Sequence, residues 1–398
     1  MRTENSGGPP AAAEDFSDLA LAASGAPTQA PDPLAGWTRH AFSFSGSGRE
    51  YFRIWIVNLL LTVATLGIYS AWAKVRRLQY FDRNTALAGA VFDFRGPPLA
   101  ILRGRLLAVL LLTGYHYAFG FSKVFGVVVI TALVLLLPLL FRSALQFRTR
   151  HSRWRGLAFG FDGSLIDAYA AYGEPILLFL LPSTLAALGA PITLVLAVSC
   201  VYLLWPLLHG AARLYQQRNL RYGNLTTEID VPARRFYRYY LVAAGWSLLA
   251  ALGFGVLTNL ILIGLHTSLK LSTDLQMMLS VGVGMLSAYF AYLVALPYLA
   301  ARISNLMWSE TQLPGVRFAV QIPARGYIWL QLRNAVLTLL SLGLYRPFAV
   351  VQAHVYRLRH AQVLCEGDLA SILAARAHAA PQAAGDATAD LFGVDFSW

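Results

Sequence analysis

Catalysis needs reactive side chains gathered at defined spacings, and this chain offers few. Its eight histidines form no HExxH pair and no ligand cluster. The two cysteines, Cys200 and Cys365, fall in an apolar run and in a polar tail, so they make neither a disulfide framework nor a thiolate site. No P-loop, dinucleotide fingerprint, kinase set or G-x-S-x-G is present. Carboxylates inside apolar runs would point to proton or cation coupling. Here Glu174 stands at the entry of such a run and Asp274 in a connection. The expectation is therefore no catalytic residue, no cofactor and no metal, with an enzyme ranked third among the readings.

Two polar patterns remain. The first is a repeated set inside apolar segments: Asn58, Thr62, Gly67 and Tyr69 recur 276 positions later as Asn334, Thr338, Gly343 and Tyr345. A lone Asn or Thr there ordinarily makes a hydrogen bond within or between helices. Recurrence at equivalent positions adds the alternative of a polar lining at a repeat interface, as in transporters. The glycines allow a break or a close contact, and the tyrosines suit an interfacial aromatic belt. The second pattern is basic. Arg76 and Arg77, Arg150, Arg153 and Arg155, and Arg234 and Arg235 interleave with Tyr, Phe and Trp beside apolar runs. Stacking on nucleic acid is conceivable for such segments. Anionic lipid headgroups are the simpler partner, because each cluster adjoins a membrane run. The expected partners are thus anionic membrane lipids and not nucleic acid. The oligomeric state is not legible.

The elements that position these residues are membrane segments. The chain has 398 residues, 57% hydrophobic and 13% charged, with a mean hydropathy of +0.53. A soluble domain carries about twice that share of charge. The net charge of +12 fits loops that flank spans. Apolar runs occupy Ile54–Ala73, Leu106–Phe121, Val124–Phe141, Ile176–Leu188, Ile192–Leu208, Leu241–Leu265, Met277–Ala301 and Ile328–Val351. About 20 such residues cross a bilayer. Alternate connections are long and arginine-rich, while the others offer only Lys123 and Lys270. The positive-inside rule puts the long ones in the cytoplasm.

Those long connections repeat as well. A shift of 67 carries Leu78-Gln79 onto Leu145-Gln146, Arg83 onto Arg150, Gly89 onto Gly156, and Phe92-x-Phe94-x-Gly96 onto Phe159-x-Phe161-x-Gly163. Phe42-x-Phe44-x-Gly46 is a further copy. Alternating Phe closed by Gly predicts short strands. The fold class expected is an all-α polytopic membrane protein of six to eight apolar helices, with internal repeats and short cytoplasmic β-hairpins or strands. Eight full spans would put Phe42-x-Phe44 outside and its copies inside. Six spans with both termini cytoplasmic, and re-entrant or interfacial first and last runs broken at Gly67 and Gly343, remove that conflict.

The run N-LLLT-x-x-TLGIYSAWAKVRRLQYF-x-x-NT-x-L-x-G, Asn58 to Gly89, flanked by F-x-F-x-G, resembles the YjgN-like family of bacterial inner-membrane proteins, defined by a domain of unknown function. The resemblance covers Phe42 to Leu364. The second copy departs from it, with Arg346-Pro347-Phe348 in place of Ser70-Ala71-Trp72. It implies a multi-pass protein of the bacterial inner membrane and supplies no catalytic residue. The organisation expected is a disordered tail over 1–40, a repeated membrane domain over 41–364, and a mostly disordered tail over 365–398 with a short helix in GDLASILAARAHAA. Two function classes lead: a lipid-interacting scaffold with an arginine-rich cytoplasmic face, and a transporter or channel whose pathway lies at the repeat interface.

Overall fold

The computed structural model describes residues 36–269 and 272–367. Most of both tails, including the helix expected near the C-terminus, lies outside the described residues.

One unit recurs five times: a strand, a helix, a turn, a returning helix, a strand. The first is β1 (Trp37–Phe44), α1 (Gly48–Ala64), α2 (Ser70–Arg83) and β2 (Thr85–Leu87). The second is β3 (Ala90–Phe94), α3 (Pro98–Phe121), α4 (Lys123–His151) and β4 (Ser152–Trp154). The third is β5 (Leu157–Phe161), α5 (Leu165–Leu188), α6 (Ile192–Arg218) and β6 (Leu220–Tyr222). The fourth is β7 (Leu225–Thr226), α7 (Arg235–Leu269), α8 (Thr273–Glu310) and β8 (Gln312–Leu313). The fifth is β9 (Val316–Val320), α9 (Ala324–Leu340), α10 (Arg346–Arg359) and β10 (Ala361–Glu366).

Local chemistry explains the boundaries. Ser47 and Glu50 form a Ser-x-x-Glu start for α1, with the Ser47 hydroxyl accepting from the Glu50 N–H at 3.2 Å. Ser122, Ser164 and Ser272 cap α4, α5 and α8 in the same way. Between β2 and β3 the turn residues Ala88 and Gly89 have φ of +46° and +75°. Their counterparts Arg155 and Gly156, between β4 and β5, have +49° and +82°. Positive φ at both central residues is the type I′ pattern, whose twist suits a two-residue hairpin. The shift of 67 thus maps strand on strand and turn on turn.

The strands pair antiparallel in the order β7-β6-β5-β4-β3-β2-β1-β10-β9-β8. Between the two outer strands Glu228 and Gln312 exchange both backbone hydrogen bonds, at 2.8 and 2.9 Å. The ten strands therefore close into a ring. Its interior is one apolar cluster drawn from all sides, including Leu87, Trp154, Tyr222, Val316, Val363 and Cys365, packed against Phe42, Phe92, Phe159 and Phe318. The period of two along each strand sends these residues inward. The expected short strands beside a helical membrane protein are present, and they pair into one ten-stranded sheet. Strands of two to eight residues bury little alone, and their apolar faces are satisfied only when five units pool them. β1 begins at Trp37, inside the stretch expected to belong to the N-terminal tail.

The helical pairs follow the ring. α2 packs on α3, α4 on α5, α6 on α7, α8 on α9, and α10 returns to α1. Among the described residues six helices, α3 to α8, are long and apolar enough to cross a membrane. They are the middle six apolar runs. Outward residues such as Leu248, Leu252 and Val256 on α7 are more than half exposed. An apolar surface of that extent suits lipid rather than water. This is a polytopic helical membrane protein.

The first and last apolar runs are not among those six. Each is a helical hairpin of 17 and 14 residues, α1–α2 and α9–α10. Between Ile54 and the end of α1 lie 11 residues, which at about 1.5 Å each reach about 16 Å. That is about half of a 30 Å hydrocarbon layer. The two turns are copies. Leu66 and Gly67 have φ of +49° and +92°, and Leu342 and Gly343 have +50° and +91°. The Gly67 N–H donates to Thr62 O at 2.8 Å and the Gly343 N–H to Thr338 O at 2.7 Å. The Thr65 and Ser341 hydroxyls then accept from the N–H of Tyr69 and Tyr345.

Candidate functional site

The repeated polar set occupies these hairpins. Asn58 and Asn334 are 7% and 3% exposed. Thr62 and Thr338 donate to their carbonyls, both at 2.6 Å. Asn334 Nδ2 donates to Ala349 O on α10 at 3.4 Å. The Oδ1 atoms of both asparagines are buried without a partner. Gly67 and Gly343 form the turns, whose tips Leu66 and Leu342 are 95% and 94% exposed. Tyr69 stacks on Trp72 at 6.1 Å and Tyr345 on Phe348 at 5.6 Å. The two hairpins pack on one another. Phe52 of α1 stacks on Phe348 of α10 at 5.7 Å, and Tyr51, Tyr80, Phe81 and Val351 form a shared core.

The basic residues are sorted by the fold. Arg76 and Arg77 are adjacent on α2 and diverge by the helical step. Arg76 lies over the Tyr69 ring, 5.7 Å from its centroid. Arg77 acts on Lys74, Tyr51 and His354. Burial, followed by Arg105, Arg148 and Arg77, pulls Lys74 down to about 7. Burial pushes Asp82 up to about 6, against the pull of Arg148. The inner side of this helix junction is therefore crowded with positive charge around one acid. Arg150 ends α4 and is exposed. Arg153 lies within β4, opposite Asp93, and its Nε is buried without a partner. Arg155 occupies the β4–β5 turn, stacked over Trp154 at 5.0 Å and donating to Ala88 O at 3.0 Å. A strand rises about 3.3 Å per residue, so Arg155 stands a strand's length beyond the end of α4. Arg234 precedes α7, and Arg235 pairs with Glu310 at 2.7 Å. The seven arginines are thus distributed around the ring and not gathered into one site.

A concavity lies beside α2. It is a cleft of about 560 Å³ lined by Trp72, Val75, Arg76, Gln79, Arg83, Asp93, Arg95, Gly96 and Pro98. Neither Asn58 nor Asn334 lines it. Asp93 organises its cations. Arg83 Nε donates to Oδ1 at 2.8 Å and Arg95 Nε to Oδ2 at 2.7 Å. Burial opposes the charge on Asp93, and the hydrogen bonds from Arg95 and Arg83 outweigh it, holding the carboxyl below its usual range. Gln79 donates to Phe94 O at 3.3 Å. A Cβ at Gly96 would stand 2.5 Å from the Phe94 ring, so a side chain there would break the floor. Asp93, Arg83 and Arg95 escape a reading of apolar runs and their flanks. The available signal is Phe92-Asp93-Phe94: strand alternation buries the two rings and turns the acid outward.

A family described as "Bacterial protein of unknown function (DUF898)" matches residues 39–391. The chain belongs to this family. The match takes in all five units. Among curated relatives, an "Inner membrane protein YjgN" of Salmonella typhimurium is 25% identical over 370 residues, 84% of this chain and 90% of that one. An "Inner membrane protein YjgN" of Escherichia coli O157:H7 is 29% identical over 132 residues, 32% of each chain. No solved structure matches the chain.

Proposed function

We propose that this family member is a lipid-interacting scaffold of the bacterial inner membrane, with its strand ring and arginine-rich helix ends in the cytoplasm. The observation that carries the reading is the common side of the ring. Every helical pair leaves from it and returns to it, and the long basic connections all feed its strands. At the far ends of the pairs the connections are short, with Lys123 as the basic residue among the described positions. The positive-inside rule then supports a cytoplasmic ring, six spans and two re-entrant hairpins. Basic residues at that face favour anionic lipids, each by about 1 kcal/mol near the surface. The test has two arms. A reporter active only outside the cytoplasmic membrane, fused after Trp398, should be silent. The purified chain should retain anionic lipid, and release it as salt rises. Strong reporter activity sinks the topology, and indifference to lipid charge sinks the lipid role.

The orphan Oδ1 atoms of Asn58 and Asn334 favour a second reading, a solute pathway at the repeat interface. Each asparagine sits within its own hairpin, and the cleft beside α2 includes neither, which supports the scaffold reading. Solute flux through reconstituted protein that stops on replacing both by Leu would reverse the ranking.

A further inference from the structure

The cleft beside α2 combines fixed cations with apolar side chains. Arg76, Arg83 and Arg95 supply three positive charges and Asp93 one negative, leaving an excess of two. Two of the guanidiniums are held in place by Asp93 before any ligand arrives. Preorganised arginines bind phosphate oxygens with fixed geometry. The lining is also partly apolar: Trp72 and Val75 share a face of α2 with Arg76 and Arg83, and Pro98 opens α3.

Pro98 is the first residue of α3, which carries an apolar stripe of its own. Leu99, Leu106 and Leu110 share a helical face and are 54%, 60% and 67% exposed. Arg103 lies on the same face between them and is exposed. An exposed apolar track thus runs along the candidate spanning helix that begins at Pro98, a residue of the cleft.

The next unit provides an internal comparison. Under the shift of 67, Arg76 becomes Ser143, Asp93 becomes Gly160 and Arg95 becomes Asp162. There Arg221 lies over Gly160, whose added Cβ would be 2.9 Å from Arg221 Nε, and pairs with Asp162 at 3.0 Å. The equivalent place is occupied by the protein's own ion pair. The open cationic cleft belongs to the junction of the first and second units, and the junction of the second and third does not repeat it.

We infer that this cleft seats the headgroup of an anionic phospholipid, its phosphate against Arg76, Arg83 and Arg95 and its acyl chains along Trp72 and the Leu99–Leu106–Leu110 stripe. A free phosphate uses the arginines and leaves the apolar track idle. A lipid uses both. The inference rests on the lipid-interacting reading above and narrows it to one site.

The test measures binding of phosphatidylglycerol, phosphatidylcholine and inorganic phosphate to the full chain in detergent. Phosphatidylglycerol should bind more tightly than phosphatidylcholine, and millimolar phosphate should not displace it. Arg76→Gln with Arg95→Gln should weaken phosphatidylglycerol about 25-fold, since each arginine near the surface is worth about fivefold. Displacement by phosphate would make this a free-anion site, and equal binding of both lipids would remove the charge argument. Either result overturns the proposal. Arg150→Gln with Arg234→Gln separates the two readings. If that pair loses lipid while the cleft pair does not, the protein binds lipid elsewhere and the cleft assignment fails. If neither pair loses it, both readings fail. Should the cleft variant not fold, a photoactivatable phosphatidylglycerol on the unaltered chain decides: label on peptides carrying Trp72 or Leu99 is required.

Discussion

Arg76 and Arg77 are neighbours in sequence with different work, one on the outer cleft and one on the inner junction. His354 belongs to that inner side. Its ring packs against Phe44 and Phe81, and its Nε2 is 3.2 Å from Thr85 Oγ1. Burial, with Arg357 and Arg77 nearby, pushes His354 down from 6.5 to about 4. Between those values the unfolded chain binds more protons than the folded chain, so stability falls as pH drops through the window. Asp82, raised from 3.8 to about 6, opposes this, because there the folded chain binds more protons. The histidine's share is therefore the difference between the natural chain and His354→Gln. On acidification from about pH 7 to about pH 4.5 the natural chain should lose more melting temperature than the variant. Equal losses would show that His354 titrates normally. At Asn58 the outcome expected is different. Its Oδ1 has no partner, so Asn58→Leu should change stability by less than about 1 kcal/mol, in either direction. A loss well beyond that in thermal unfolding would mean that Oδ1 has a partner, such as bound water.

At the scale of elements, the two short hairpins depend on their turns. Gly67 and Gly343 lie at φ above +90°, where a β-branched residue is strained. Gly343→Val should cost about 1–2 kcal/mol, seen as a lower melting temperature with the spans intact. The hairpin depth is measurable directly. Spin labels at Leu66→Cys and Leu342→Cys should report equal depth inside the lipid, accessible to oxygen and shielded from aqueous reagents on both sides. Labelling by an impermeant reagent from the outer face would show full spans instead. The apolar tips were legible in the sequence, since Leu66-Gly67 and Leu342-Gly343 interrupt two apolar runs at matched positions. Their depth was not, because some 20 apolar residues suffice either to cross once or to fold back at half that depth.

For the whole molecule, closure is the decisive property. β1 and β10 are neighbours in the ring, and Thr38 Oγ1 donates to Gly367 O at 2.8 Å. Ending the chain at Arg359 removes β10 and leaves β1 and β9 with unpaired edges. Open edges recruit other chains, so the truncated protein should aggregate in detergent while the full chain runs as one species. A monodisperse truncated protein would show that the ring is dispensable.

Composition, arginine placement and the 67- and 276-residue repeats determine a helical membrane protein with basic ends, six to eight apolar helices and recurring strand signals. These are local properties: hydropathy, period and turn chemistry act within a few residues of one another. The ring is not local. Glu228 meets Gln312 and β1 meets β10 only after five units have assembled, and no pattern inside one unit specifies how many others will close on it. The cleft has the same origin. Arg76, Arg83 and Arg95 come from a helix and from the far side of a β-hairpin, and Asp93 joins them because strand alternation turns it away from the ring interior. Residue types and spacing announce a charged face. Which of its arginines share a site, and which are spent on the protein's own ion pairs, is decided by tertiary packing, because charge acts through space rather than along the chain.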